Sequence, residues 1–324
     1  MKDEIASRLK SLTGPIPDDL ILAIDQLRHA DALEVLRHHP GFAIQDKKRS
    51  LENTHNLFFK AHRDLLRGLD EFDEKCRSPD YFLRSRQHDA EELDLTVRKE
   101  IFAFSDLAHS LVEHSRQLKN YEPPGRAAAL ARSFGDDGLH EFVIKLRNAL
   151  HHQNQVESQW VIRASGPTQT SHYVLHKIDL LAPSIDWDHK ARAFIGTARD
   201  PIDVRTLVED YANRVRSYYD WYFPELDTVW PPEAQEYEGI LLNLRRRSAR
   251  LNWRLLLITL INNKFDPYAS MERYLTPEDI RVVKIHPDGS RAQVDAIIEI
   301  IDEYGACDDE VRSLAYRLFG IHTS

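Results

Sequence analysis

The chain predicts an all-α fold with one inserted β-hairpin, and three observations carry that reading. Apolar residues recur at three- and four-residue steps through two long runs, residues 50–75 and 88–118. From about residue 159 the period changes to that of strands, on either side of Ser165-Gly166-Pro167-Thr168. Past residue 204 the helical period returns and persists.

Taken in order, Pro15 and Pro17 precede apolar-periodic runs through Leu20, Ile21, Ile24 and Leu27 and then 33–36, which fit two or three short helices. His38-His39-Pro40-Gly41 reads as a helix stop and turn. The first long helix follows, with Leu51, Leu57, Phe58, Ala61, Leu65, Leu66, Leu69 and Phe72 as its stripe; Leu93, Val97, Ile101, Phe104, Leu107, Ala108 and Leu111 form the stripe of the second. Tyr121-Glu122-Pro123-Pro124-Gly125 ends that helix, a short helical piece covers 126–133, and another helix starts near Asp137. After the hairpin, 204–222 forms an amphipathic helix ending at Phe223-Pro224, and Trp230-Pro231-Pro232 is a linker. Helices over 240–261, 293–304 and 309–319 complete the chain. The domains expected are an N-terminal helical segment, 1–49, a four-helix bundle, 50–225, with its hairpin at about 157–178, and a C-terminal helical region, 226–324.

The formal net charge is −9, so any contact with nucleic acid must be local rather than a general coating. Cys76 and Cys307 stand far apart and form neither a disulfide framework nor a metal motif. The start, Met1-Lys2-Asp3-Glu4, lacks the apolar core of a signal peptide, and the longest apolar run, 255–261, is too short for a bilayer. A soluble cytoplasmic protein without a membrane partner is expected.

The functional argument rests on Lys145-Leu146-Arg147-Asn148-Ala149-Leu150-His151-His152. A permanent cation, an amide and an imidazole that titrates near neutrality suit phosphodiester cleavage without metal. On a helix Arg147 aligns with His151 and Asn148 with His152, while Arg147 and His152 lie about 140° apart. Two copies meeting at a symmetry axis would remove that difficulty, which points to a homodimer. One imidazole would take the proton of a ribose 2′-hydroxyl and its protonated twin would supply one to the departing 5′-oxygen. Arg147 would hold the phosphate, and Asn148 would orient the backbone or His152. The substrate would then be RNA, and the products a 2′,3′-cyclic phosphate and a 5′-hydroxyl.

Arg147, Asn148 and His152, late in an amphipathic helix of a bundle, resemble the Arg-Asn-x-x-x-His signature of the HEPN superfamily. The resemblance covers residues 50–225. It implies an all-helical, commonly dimeric, metal-independent endoribonuclease with no cofactor, acting as a toxin or in antiviral defence, with an antitoxin or defence-system protein as a further partner. His151 falls one residue short of the usual spacing and ranks second. The competing reading is a non-catalytic adaptor that binds RNA or a protein partner, with the motif helping to hold the dimer together; in a purely structural role Arg147 and Asn148 would satisfy neighbouring carbonyls or carboxylates and the histidines would cap the helix.

Two further stretches contain no acidic residue. The hairpin region has Arg163, His172, His176 and Lys177 beside Trp160 and Tyr173. It reads either as a wing that guides RNA, with Lys145, Arg163, His172 and Lys177 as contacts, or as an ordinary hairpin packed by its aromatics. Residues 239–265 carry Arg245, Arg246, Arg247, Arg250 and Arg254, a basic stripe expected to be solvated or salt-bridged. His172 and His176 share a strand, about 13 Å apart, which excludes one metal held by both.

Overall fold

The computed structural model describes residues 1–152, 158–165, 168–182 and 185–321. The chain is mostly helical with one small sheet, and it divides into two compact units. Asp46–Pro231 is one; Met1–Gln45 and Pro232–Ser324 together make the other.

In chain order the helices are α1 (Lys2–Lys10), α2 (Asp18–Asp25), α3 (His29–Leu36), α4 (Pro40–Lys75), α5 (Gln87–Gln117), α6 (Arg126–Phe134) and α7 (Leu139–His152). The hairpin strands β1 (Ser158–Ser165) and β2 (Thr168–Leu175) follow, then α8 (Lys177–Leu180), α9 (His189–Thr197), the two-residue strand β3 (Ile202–Asp203) and α10 (Val204–Thr228). The last helices are α11 (Pro232–Asn262), α12 (Pro277–Val283), α13 (Arg291–Ile301) and α14 (Asp309–Leu318). No helix among the described residues is long and apolar enough to cross a membrane.

Several boundaries differ from the sequence reading, for physical reasons. α3 does end before His38, yet Pro40 begins the next helix instead of marking a turn, because a first-turn residue needs no backbone donor. Gly41 then lies where an added Cβ would sit 2.1 Å from the carbonyl oxygen of Glu233, so only glycine fits. α10 continues through Pro224 to Thr228, with Tyr222 and Leu226 fully buried on either side of the proline. α11 starts at Pro232, again with proline opening a helix. Leu57, placed in the buried stripe of α4, is 52% exposed.

The core of the Asp46–Pro231 unit is aromatic. Phe58 of α4, Phe104 of α5 and Tyr211 of α10 are buried together, with Phe58 and Phe104 ring centroids 4.8 Å apart. Helix α7 packs beside α5 and α9, burying Phe142, Val143, Leu146 and Ala149, and Phe142 stacks on Trp187 at 5.2 Å. The start of α7 is pinned. Arg214 of α10 makes a two-pronged contact with Asp137, at 2.9 and 2.6 Å, while Asp137 also accepts the Leu139 N–H.

In the other unit, Leu9, Leu20, Ile24 and Leu36 from α1–α3 bury against Tyr237, Leu241 and Leu244 of α11. Farther along α11, Leu257 packs with Val294, Ile298, Val311 and Ala315. The sheet is antiparallel throughout, in the order β1-β2-β3. The sequence anticipated the hairpin; β3 adds a third strand through Val174↔Asp203 and Leu175↔Ile202.

Candidate functional site

The C-terminal half of α7 carries Arg147 and Asn148 out of the core because Leu146 and Ala149 on either side are buried. Arg147 reaches toward α5, where Nη1 donates to Oδ1 of Asp106 at 3.1 Å. Both partners are partly exposed, the arginine side chain at 33% and the aspartate at 41%. One guanidinium contact of this kind leaves further N–H groups able to donate. Asn148 is exposed beside it. The side chains of His151 and His152 lie outside the described residues.

Lys145 leaves the opposite flank of α7, its ammonium 3.8 Å from Asp188, which also caps α9 by accepting the Ala191 N–H. The two cations of the motif thus face different neighbours, α5 for Arg147 and the start of α9 for Lys145. Lys177 is engaged elsewhere. Its ammonium donates to the carbonyl of Gly196 in the last turn of α9, a position that favours cations, and its backbone N–H donates to Asp200.

One face of the hairpin packs on α4 and α5 through Trp160, Ser171 and Tyr173. Trp160 lies flat on Phe72, with centroids 3.5 Å apart and planes 10° from parallel. Tyr173 is buried and donates its hydroxyl to Asp94. Ser171 gives both its N–H and its hydroxyl to Asp73 at the end of α4. These aromatics are therefore packing groups rather than platforms for bases, which corrects that part of the wing reading. Arg163 is exposed, and His172 bonds through Nδ1 to Oδ2 of Asp203 at 2.8 Å.

Sequence reasoning missed three groups. Asp106 bears no motif. Asp203 was legible, since an aspartate directly before an apolar-periodic run marks a helix N-cap, and it does accept the Thr206 N–H. Burial raises the Asp203 carboxyl, but the bonds from Thr206 and His172 prevail and hold it below its ordinary value. His140 lies inside, 3.1 Å from the Tyr211 hydroxyl, and burial lowers its pKa.

Among the described residues no group of three or more His, Cys, Asp or Glu is placed to hold a metal ion. The arginine stripe of α11 is salt-bridged as expected: Arg247 to Asp25, Arg250 to Asp308 and Glu310, and Arg254 to Glu310. No protein-family model, curated protein or solved structure matches the chain.

Proposed function

We propose that the chain is a metal-independent endoribonuclease of the HEPN type, acting on RNA as a homodimer in a cytoplasmic toxin or defence role. The observation that carries the reading is the pairing of a partly exposed Arg147, whose one polar contact among the described residues is to Asp106, with an exposed Asn148 in the C-terminal half of a packed helix. A phosphate arriving there meets guanidinium N–H groups that Asp106 does not use. In the reaction the 2′-hydroxyl loses its proton to one imidazole and its oxygen attacks phosphorus. The P–O5′ bond breaks, and a second, protonated imidazole gives its proton to the 5′-oxygen. His152 takes the acid–base part, with His151 second. Arg147 stabilises the charge that grows on the phosphate. The assignment to HEPN, the defence role and an antitoxin or defence-system partner rest on the Arg-Asn-x-x-x-His resemblance.

A second reading is favoured by the same ion pair. Arg147–Asp106 and Lys145–Asp188 tie α7 to α5 and α9, as a non-catalytic adaptor would need. Cleavage of mixed structured and single-stranded RNA in EDTA separates the two. Metal-free cleavage leaving cyclic phosphate ends, lost in Arg147→Ala and His152→Ala proteins of matched fold, supports the nuclease. Equal traces from all three proteins establish the adaptor.

A further inference from the structure

With Trp160 and Tyr173 packed inward, the opposite face is exposed at Arg163 and Thr170 and half-buried at His172, while Val174 beside Asp203 is buried; the polar groups of that face fall into a row. Directly opposed residues of antiparallel strands share a face. The pairs Val161↔His172 and Arg163↔Thr170 therefore bring Arg163, Thr170 and His172 to one side, and Val174↔Asp203 adds Asp203 to it. The step from Asp203 to His172 is a diagonal between strands, closed by the 2.8 Å bond. The step from His172 to Arg163 is the corresponding diagonal on the other side, roughly 7–8 Å between backbones, which an arginine spans. A cation, an imidazole and a carboxylate thus cross three strands in line.

The carboxylate is fixed twice. One oxygen of Asp203 caps α10 through the Thr206 N–H at 2.9 Å, and the other accepts from His172. A carboxylate facing Nδ1 sets the proton on that nitrogen and leaves Nε2 as the outward atom. The His172 side chain is 38% exposed, and Arg163 and Thr170 are exposed. A purely structural clamp between β2 and α10 requires only Nδ1; the exposed Arg163 guanidinium on the same face, with no ion pair among the described residues, gives the other ring nitrogen a use.

We propose that this row seats one phosphodiester of single-stranded RNA. Arg163 contacts the phosphate through paired N–H donors, the Nε2 side of the His172 ring faces the same group, and the Thr170 hydroxyl supplies a further donor. Asp203 is a positioning residue that holds the His172 ring through Nδ1. The seat reads backbone rather than bases, since no aromatic of the hairpin is free to stack. The inference rests on the RNA reading for the identity of its ligand, and it deepens that reading by adding a contact away from the α7 motif.

The test is fluorescence anisotropy with a labelled 2′-O-methyl RNA of about ten nucleotides, which binds but cannot be cleaved. Arg163→Ala and His172→Asn should each weaken binding roughly tenfold, and Arg163→Ala should lower the slope of log K against log salt by about one. Asparagine keeps an amide donor for Asp203 and removes the outward nitrogen, so a merely structural histidine would leave affinity unchanged. Asp203→Asn retains the helix cap and should weaken binding by a smaller factor. Wild-type affinity and salt slope in folded Arg163→Ala and His172→Asn proteins overturn the seat, as does a wild type that does not bind the oligomer. Cleavage of unmodified RNA in EDTA is scored separately. Weakened binding in the variants without wild-type cleavage keeps the seat and removes the nuclease; cleavage with unaltered affinities does the reverse.

Discussion

Arg147 on α7 and the arginines of α11 look alike in the sequence, each a basic stretch with no acid nearby, yet their surroundings differ. Residues 239–265 contain no acidic residue, but the fold brings Asp25 from α2 and Asp308 and Glu310 from the start of α14 against them. Arg250 spends its guanidinium on two carboxylates at once, and Arg254 takes the remaining oxygen of Glu310. Among the described residues Arg147 has one ion pair, to a carboxylate that is itself partly exposed. A local run of like charge therefore says little about availability, because the neutralising groups come from 58 to 222 residues away.

The comparison can be broken in graded ways. The largest effect belongs to the platform beneath Arg147. Phe142→Ala removes a fully buried ring and should destabilise the fold by about 3–5 kcal/mol in urea titrations, whereas Asn148→Ala on the same helix should stay within about 0.5 kcal/mol. Equal losses would mean that α7 is not anchored through its buried face. Next, Arg147→Ala should lower metal-free RNA cleavage by about a hundredfold or more, while Arg250→Ala leaves the rate near wild type. Matching rates for the two variants would erase the distinction between them.

Asp106→Asn is the subtler probe, since it frees the guanidinium of Arg147 without touching it. RNA affinity should rise about two- to fivefold if phosphate and Asp106 compete for the same donors. An unchanged affinity together with a lower melting temperature would make the pair a structural tie, as in the adaptor reading. The smallest effect is a pH dependence of stability. Burial lowers the pKa of His140, and likewise those of His39, His55 and His62. The unfolded chain then binds protons that the folded chain refuses. Stability is full above the unfolded value of about 6.5 and declines as pH falls toward the folded values, by up to about 1.4 kcal/mol per pH unit for each such group. Urea midpoints measured at about pH 7.5 and about pH 5.5 check the sign, and His140→Gln should shrink the difference.

Much of the fold was legible because α4, α5, α10 and α13 present long or strongly apolar stripes, and period is what a sequence displays best. Helices α8, α9 and α12 escaped notice because they are short; α9 buries only Ala191 and Ile195, too few positions to establish a period. The starts of α4 and α11 were misplaced because proline carries two meanings, stopping one helix and opening the next, and only packing chooses between them. At the candidate site the positions of Arg147 and Asn148 on one helix followed from spacing. Their partners did not. Asp106 lies 41 residues from Arg147, a distance across which no local pattern operates.

The division of the chain orders its assembly in time. Leu9, Leu20 and Ile24 complete their core only against Tyr237, Leu241 and Leu244. On the ribosome residues 1–45 emerge before their partners in α11 and wait while the Asp46–Pro231 unit is synthesised. Only after α11 has emerged can α1–α3 complete their core. A pause in translation downstream of Pro231 would therefore prolong the exposure of the N-terminal helices, making this protein's yield depend on elongation rate.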